Sequence, residues 1–134
     1  MTSDPLGRLP HGIAFRFVDR VLEMTPATRV VALKNVTVDD PHLQGHFPGN
    51  PLVPGVLLVE AMAQTAGLLL AEGSSAVLAQ IRDARFRRPV VPGDQVRIEA
   101  ERLGGLGGLH RFGVKASVDG ALVAEAEIVL AETS

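Results

Sequence analysis

From Val56 to Ala71 the chain offers Val, Leu, Ala and Met with few breaks, and between His46 and Glu72 the only acid or base is Glu60. The composition and the proline at its start predict a helix over about residues 54–71. Val56, Leu57, Leu58 and Val59 would point in four directions around that helix, and Ala61, Met62, Ala66, Leu68, Leu69 and Leu70 continue the pattern. A helix apolar nearly all round is buried on all sides. Glu60, Gln64 and Gly67 interrupt the run, which falls short of the ~20 residues a bilayer requires. The rest of the chain must therefore wrap around it.

The rest reads as strands. Ile13 to Met24 and the β-branched Arg29 to Val38 are two, joined by the turn Thr25-Pro26-Ala27-Thr28. Asp39 to Pro54 holds four prolines and two glycines and reads as a structured loop. Further strands are expected at Val77 to Arg87, Gln95 to Leu103, Leu109 to Val118 and Leu122 to Leu130. Gly104 to Gly108 and Asp119-Gly120 punctuate the last three, and Asp-Gly between apolar runs is a strong hairpin signal. One buried helix with about six strands suggests an α+β architecture, a curved antiparallel sheet wrapped around the helix, which is the hot-dog fold. A single sheet layer leaves such a helix partly uncovered, so at least a dimer is expected.

Whole-chain quantities narrow the function classes. At 134 residues one domain over 1–134 is expected, burying roughly 68–70% of the surface its unfolded chain exposes. Apolar residues make up 46%, as in a globular protein. A formal charge of −2 gives no general attraction for nucleic acid or anionic membranes. There is no cysteine, which excludes disulfides and thiolate metal sites. Met1-Thr2-Ser3-Asp4-Pro5 has neither a basic start nor an apolar core, so no signal peptide and a cytoplasmic location are expected.

A carboxylate among Val, Leu and Met is costly unless paired, hydrogen-bonded or protonated, which makes Glu60 a candidate for chemistry. Gln64 follows at i+4 on the same helix face and could orient it. His46 comes from a loop stiffened by Pro48 and Pro51. Pro54-Gly55 opens the helix, where the first N–H groups have no internal partners and favour negative charge. A base, an acid and an oxyanion-binding backbone suit proton abstraction beside a carbonyl coupled to loss of a hydroxyl.

The stretch Gly45-His46-Phe47-Pro48-Gly49-Asn50-Pro51, with Pro54-Gly55-Val56 and Glu60-Ala61-Met62-Ala63-Gln64, resembles the signature of the FabZ-type (3R)-hydroxyacyl-[acyl-carrier-protein] dehydratases. The resemblance extends to Leu9-Pro10-His11, Val18-Asp19-Arg20-Val21, Lys34-Asn35-Val36-Thr37, Phe86 to Asp94 and Val118-Asp119-Gly120. It implies the hot-dog fold and dehydration of a 3-hydroxyacyl thioester to the trans-2-enoyl product on acyl carrier protein. It also implies that His46 takes the Cα proton, Glu60 helps the 3-hydroxyl leave, the Gly55 N–H holds the thioester oxygen and the Leu52 carbonyl fixes the histidine ring. His46 and Glu60 would come from different subunits, so an active homodimer, or a trimer of dimers, is implied. Glu rather than Asp at position 60 points to dehydration without isomerisation. No metal or organic cofactor is implied.

The chain departs from the family pattern at Gly12-Ile13-Ala14 and at His42-Leu43, positions that bear on substrate choice more than on chemistry. Arg82, Arg85, Arg87 and Arg88 read either as a solvated strand face or as a landing patch for an acidic carrier protein, the latter resting on Arg85, Arg87 and Arg88. His110 is expected to be an exposed strand residue. His42 and His46 lack a third ligand for a metal. Two other readings of the chain are a hot-dog acyl thioesterase and a non-catalytic acyl-carrier-binding partner; the His46/Glu60 pair argues against the second.

Overall fold

The computed structural model describes residues 17–40 and 52–133. His11, Gly12-Ile13-Ala14, His42-Leu43 and His46 lie outside the described residues. The elements run β1 (Arg20–Thr25), β2 (Arg29–Asn35), α1 (Gly55–Gly67), β3 (Ser75–Phe86), β4 (Gln95–Leu106), β5 (Leu109–Val118) and β6 (Ala121–Thr133). The six strands form one sheet in the order β1-β2-β4-β5-β6-β3, antiparallel at every step.

Alternation explains which face packs on the helix. In β4, Val96, Ile98 and Ala100 are buried. Arg97 and Glu101 between and beyond them are exposed. In β5, Phe112, Val114, Ala116 and Val118 point the same way and join the core around α1. The outer face carries ion pairs instead. Arg29 bridges Glu23 and Glu99, Arg82 and Arg111 meet on Glu127, and Arg87 grips Glu125. All are partly exposed and worth about 0–1 kcal/mol each. The expected Asp-Gly hairpin is present: Asp119 and Gly120 have φ of 51° and 82°, the two positive angles a tight β5–β6 turn of type I′ requires.

Beyond shifted strand ends, with β2 stopping at Asn35 rather than Val38, β4 running on to Leu106 and β6 to Thr133, four details differ from the sequence expectations. First, α1 ends at Gly67, not Ala71; the N–H groups of Leu68, Leu69 and Leu70 turn back to Thr65, Ala66 and Gly67, and the three leucines remain buried. Second, α1 is not buried on all sides within one chain: Val56 is 75% exposed and Leu57 only half-buried, the partial cover expected of a single sheet layer. One sheet layer cannot reach around the whole helix. Third, β1 begins at Arg20; residues 17–19 precede it without strand structure, and the rest of that expected strand lies outside the described residues. Fourth, His110 is not an exposed strand residue. Its side chain is 13% exposed, its Nδ1 accepts from Arg102 and its Nε2–H donates to Glu132. An arginine can only donate, which fixes that tautomer.

β3 stands apart. It pairs with β6 along one side and, among the described residues, has no neighbour on the other. Val77, Leu78, Ile81 and Phe86 along it are all exposed. Among the described residues, no helix is long and apolar enough to cross a membrane.

Candidate active site

The site is built on the first three turns of α1. Just before it, Val53 N–H donates to Val90 O at 2.8 Å. Pro54, in an extended conformation, precedes the helix and its carbonyl accepts from Leu57 and Leu58. The N–H groups of Gly55 and Val56 are left without an acceptor among the described residues. No acidic side chain lies in the first turn and, among the described residues, no side chain caps it, so the positive end of the helix favours an anion.

Gly55 has a steric reason to be glycine. A Cβ there would lie 3.2 Å from Cε1 and Cζ of Phe86, whose ring rests on the helix start. Phe86 was not singled out by the sequence, because it is 31 positions away and reaches Gly55 only through the position of β3 beside the helix.

Glu60 lies at the junction of two clefts. One, of about 510 Å³, is lined by Gly55, Val56, Val59, Leu78, Ile81 and Phe86 besides Glu60. The other, of about 270 Å³, runs past Ala63, Gln64 and Gly67 to Leu130 and the start of β3. Glu60 is half-buried rather than sealed in the core, because the uncovered face of α1 is the one that carries it. The i+4 spacing does what was expected: Gln64 Nε2 donates to Glu60 Oε1 at 3.1 Å. Gln64 is itself buried, 3% exposed, and its Oε1 accepts from the Phe17 N–H at 2.9 Å.

The structure thus brings together Gly55, Glu60 and Gln64. Leu52 lies just before the helix, half-buried, and lines neither cleft. Of the arginines, Arg87 is held by Glu125 through both Nε and Nη2, while Arg85 and Arg88 make no ion pair among the described residues.

Comparison with known proteins decides the family, since the FabA-like domain matches residues 9–127, most of the chain. The chain belongs to the FabA-like domain family. The 3-hydroxyacyl-[acyl-carrier-protein] dehydratase FabZ of Polynucleobacter asymbioticus is 50% identical over 131 residues, covering 94% of this chain and 88% of that one. The enzyme of the same name from Geotalea uraniireducens is 49% identical, covering 90% and 88%. This FabA-like chain is therefore of the FabZ type. Solved structures support the fold at low identity. The dehydratase heterocomplex ApeI:P of Xenorhabdus doucetiae superposes with a TM-score of 0.85 at 18% identity, over 100% of this chain and 93% of that one. A hypothetical thioesterase of Streptococcus pneumoniae, solved with coenzyme A, gives 0.69 at 20%, over 86% and 85%. The fold is the hot dog.

Proposed function

We propose that this FabZ-type chain, one hot-dog unit over 1–134, removes water from (3R)-3-hydroxyacyl groups on acyl carrier protein at a site shared by two copies. The dehydration of 3-hydroxyacyl-[acyl-carrier-protein] in fatty-acid biosynthesis is the activity of its FabZ relatives and of this chain. The observation that carries the shared site is the position of Glu60. It faces an open cleft whose other wall is an apolar strand edge with no neighbour among the described residues. A second copy pairing on β3 would close that cleft and bring its own His46 to Glu60.

In this reading the carrier's phosphopantetheine arm delivers the thioester with its oxygen toward the N–H groups of Gly55 and Val56. Neutral His46, its ring held by the Leu52 carbonyl, takes the Cα proton. Charge moves onto the thioester oxygen, where the helix start stabilises it. Protonated Glu60 gives its proton to the departing 3-hydroxyl, the Cβ–O bond breaks and water leaves. The product is the trans-2-enoyl thioester, without isomerisation, and exchange with solvent resets the two side chains. Docking of the acidic carrier falls to Arg85 and Arg88, with Arg87 engaged by Glu125. The enzyme would act in the cytoplasm as a dimer or a trimer of dimers.

The test is hydration of a trans-2-enoyl thioester, followed by loss of its ultraviolet absorbance. His46→Ala and Glu60→Gln should each lower kcat by about 10²–10⁴. Mixing the two inactive variants should restore about a quarter of wild-type activity, because half the random dimers carry one intact site of two. Retained activity in either single variant, or no recovery on mixing, would overturn the shared site.

A further inference from the structure

Lys34 is an anomaly of the fold. It sits on the inward face of β2 in line with Val30, Ala32 and Val36 of the core, and is 5% exposed. Its Nζ lies 5.3 Å from the centroid of the Phe17 ring, within cation–π range. Burial pulls its proton affinity below the ordinary lysine value, opposed by the negative charges of Asp40 and Asp19. A buried cation is costly, so a core position with this pattern would more simply hold a methionine or leucine.

The partner of Lys34 leads to Glu60. The segment 17–19 is held against β2, where Asp19 N–H donates to Leu33 O at 2.9 Å and Asp19 Oδ2 accepts from Asn35 N–H at 2.6 Å. At its other end Phe17 is held by the cation on its ring, and its peptide N–H meets Gln64 Oε1. A peptide N–H can only donate. The carboxamide of Gln64 therefore has one admissible orientation, with its oxygen toward Phe17 and its NH₂ toward Glu60. Glu60 Oε1 accepts from that NH₂. In a protonated carboxyl the carbonyl oxygen is the better acceptor, so the transferable proton is placed on Oε2.

We infer that Phe17, Gln64 and Lys34 are positioning residues for dehydration. Lys34 anchors Phe17, the Phe17 N–H sets the direction of the Gln64 amide, and that amide fixes which oxygen of Glu60 carries the proton. This rests on the role of Glu60 proposed above. The alternative is a purely structural Gln64 that satisfies the Phe17 N–H and does nothing for Glu60. Apart from Glu60 itself, no titratable side chain lines either cleft among the described residues, and Asp19 and Asp40 are the acidic groups acting on Lys34.

Gln64→Glu tests whether the group at position 64 faces the working carboxyl of Glu60, and Lys34→Met whether that contact is positioned from outside the cleft. It keeps an acceptor for Phe17 but sets a second carboxyl against Glu60. Two carboxyls this close share a proton and hold it to higher pH. The alkaline limb of the kcat–pH profile should move up by about one unit or more, with KM within about twofold of wild type. Lys34→Met, close in volume and uncharged, should lower kcat several-fold with KM unchanged and the melting temperature equal or higher. An unshifted profile in Gln64→Glu, or wild-type kcat in Lys34→Met, overturns the inference. Should Gln64→Glu fail to fold, Gln64→Met replaces it: loss of kcat at unchanged KM supports the inference, and wild-type kcat overturns it. Glu60→Gln is measured alongside. If that variant keeps its activity, the failure lies in the role of Glu60 and not in the residues that position it.

Discussion

The two edges of the sheet are built in opposite ways. β1 is six residues long, bulged between Val21 and Glu23, and carries exposed Arg20, Glu23 and Thr25. Short length, charge and a bulge are the usual means by which an edge is kept from pairing with other chains. β3 is twelve residues long and exposes Val77, Leu78, Ile81 and Phe86. It has irregularities of register too, two against the one in β1, so its length and its exposed apolar residues are what set it apart. In the proposed shared site, one edge is finished and the other is left for a partner. The unfinished edge is also the one beside Glu60 and the open helix start.

Three experiments press on that contrast. The largest effect is expected from Ile81→Lys, which charges the middle of β3. It should convert the assembly to monomer in analytical ultracentrifugation and lower hydration activity at least tenfold. A control on β1, Leu22→Lys, should leave the assembly intact; loss of assembly there as well would erase the difference between the edges.

A smaller effect separates assembly from core stability. Phe112, fully buried on β5 at the centre of the sheet, should cost about 3–5 kcal/mol as Phe112→Ala in chemical denaturation. If β3 is a surface for association and not part of the core, Ile81→Ala should cost far less when unfolding is compared in the monomeric background.

The smallest effect belongs to the outer ion pairs. Glu23→Gln beside β1 should change stability by no more than about 1 kcal/mol, because the pair is exposed and screened. The pairs on the β3 side show up in acid. Glu127 is held below the usual carboxylate range by its hydrogen bond from Arg111, and Glu125 by that from Arg87. A lowered folded value means stability that is present above the unfolded value and lost as pH falls through the folded one. Glu127→Gln should therefore lower the melting temperature slightly at neutral pH, converge with the wild type in acid, and so flatten the acid limb of the profile.

Much of this was legible in the chain. The Asp119-Gly120 hairpin needs only local geometry, and the alternation of Val96, Ile98 and Ala100 with charged neighbours announces its own inner face. The bond from Gln64 to Glu60 follows from helical spacing. His110 was misread because neither Arg102 nor Glu132 lies near it in sequence; the side chains meet across β4, β5 and β6. That one sheet layer leaves an all-apolar helix partly uncovered was legible too; which face lies open was not, because periodicity reports what a surface is made of and not what covers it.

The sequence by itself determined the helix, the hairpins, the isolation of Glu60 among apolar neighbours and the family to which the chain belongs, since each rests on local spacing or on an unbroken motif. Only the tertiary structure decided which strand would be the open edge, that Phe86 would lie over Gly55, and that Phe17 would meet Gln64 across 47 positions. Those contacts depend on the order in which strands far apart in the chain come together, and no local propensity encodes that order.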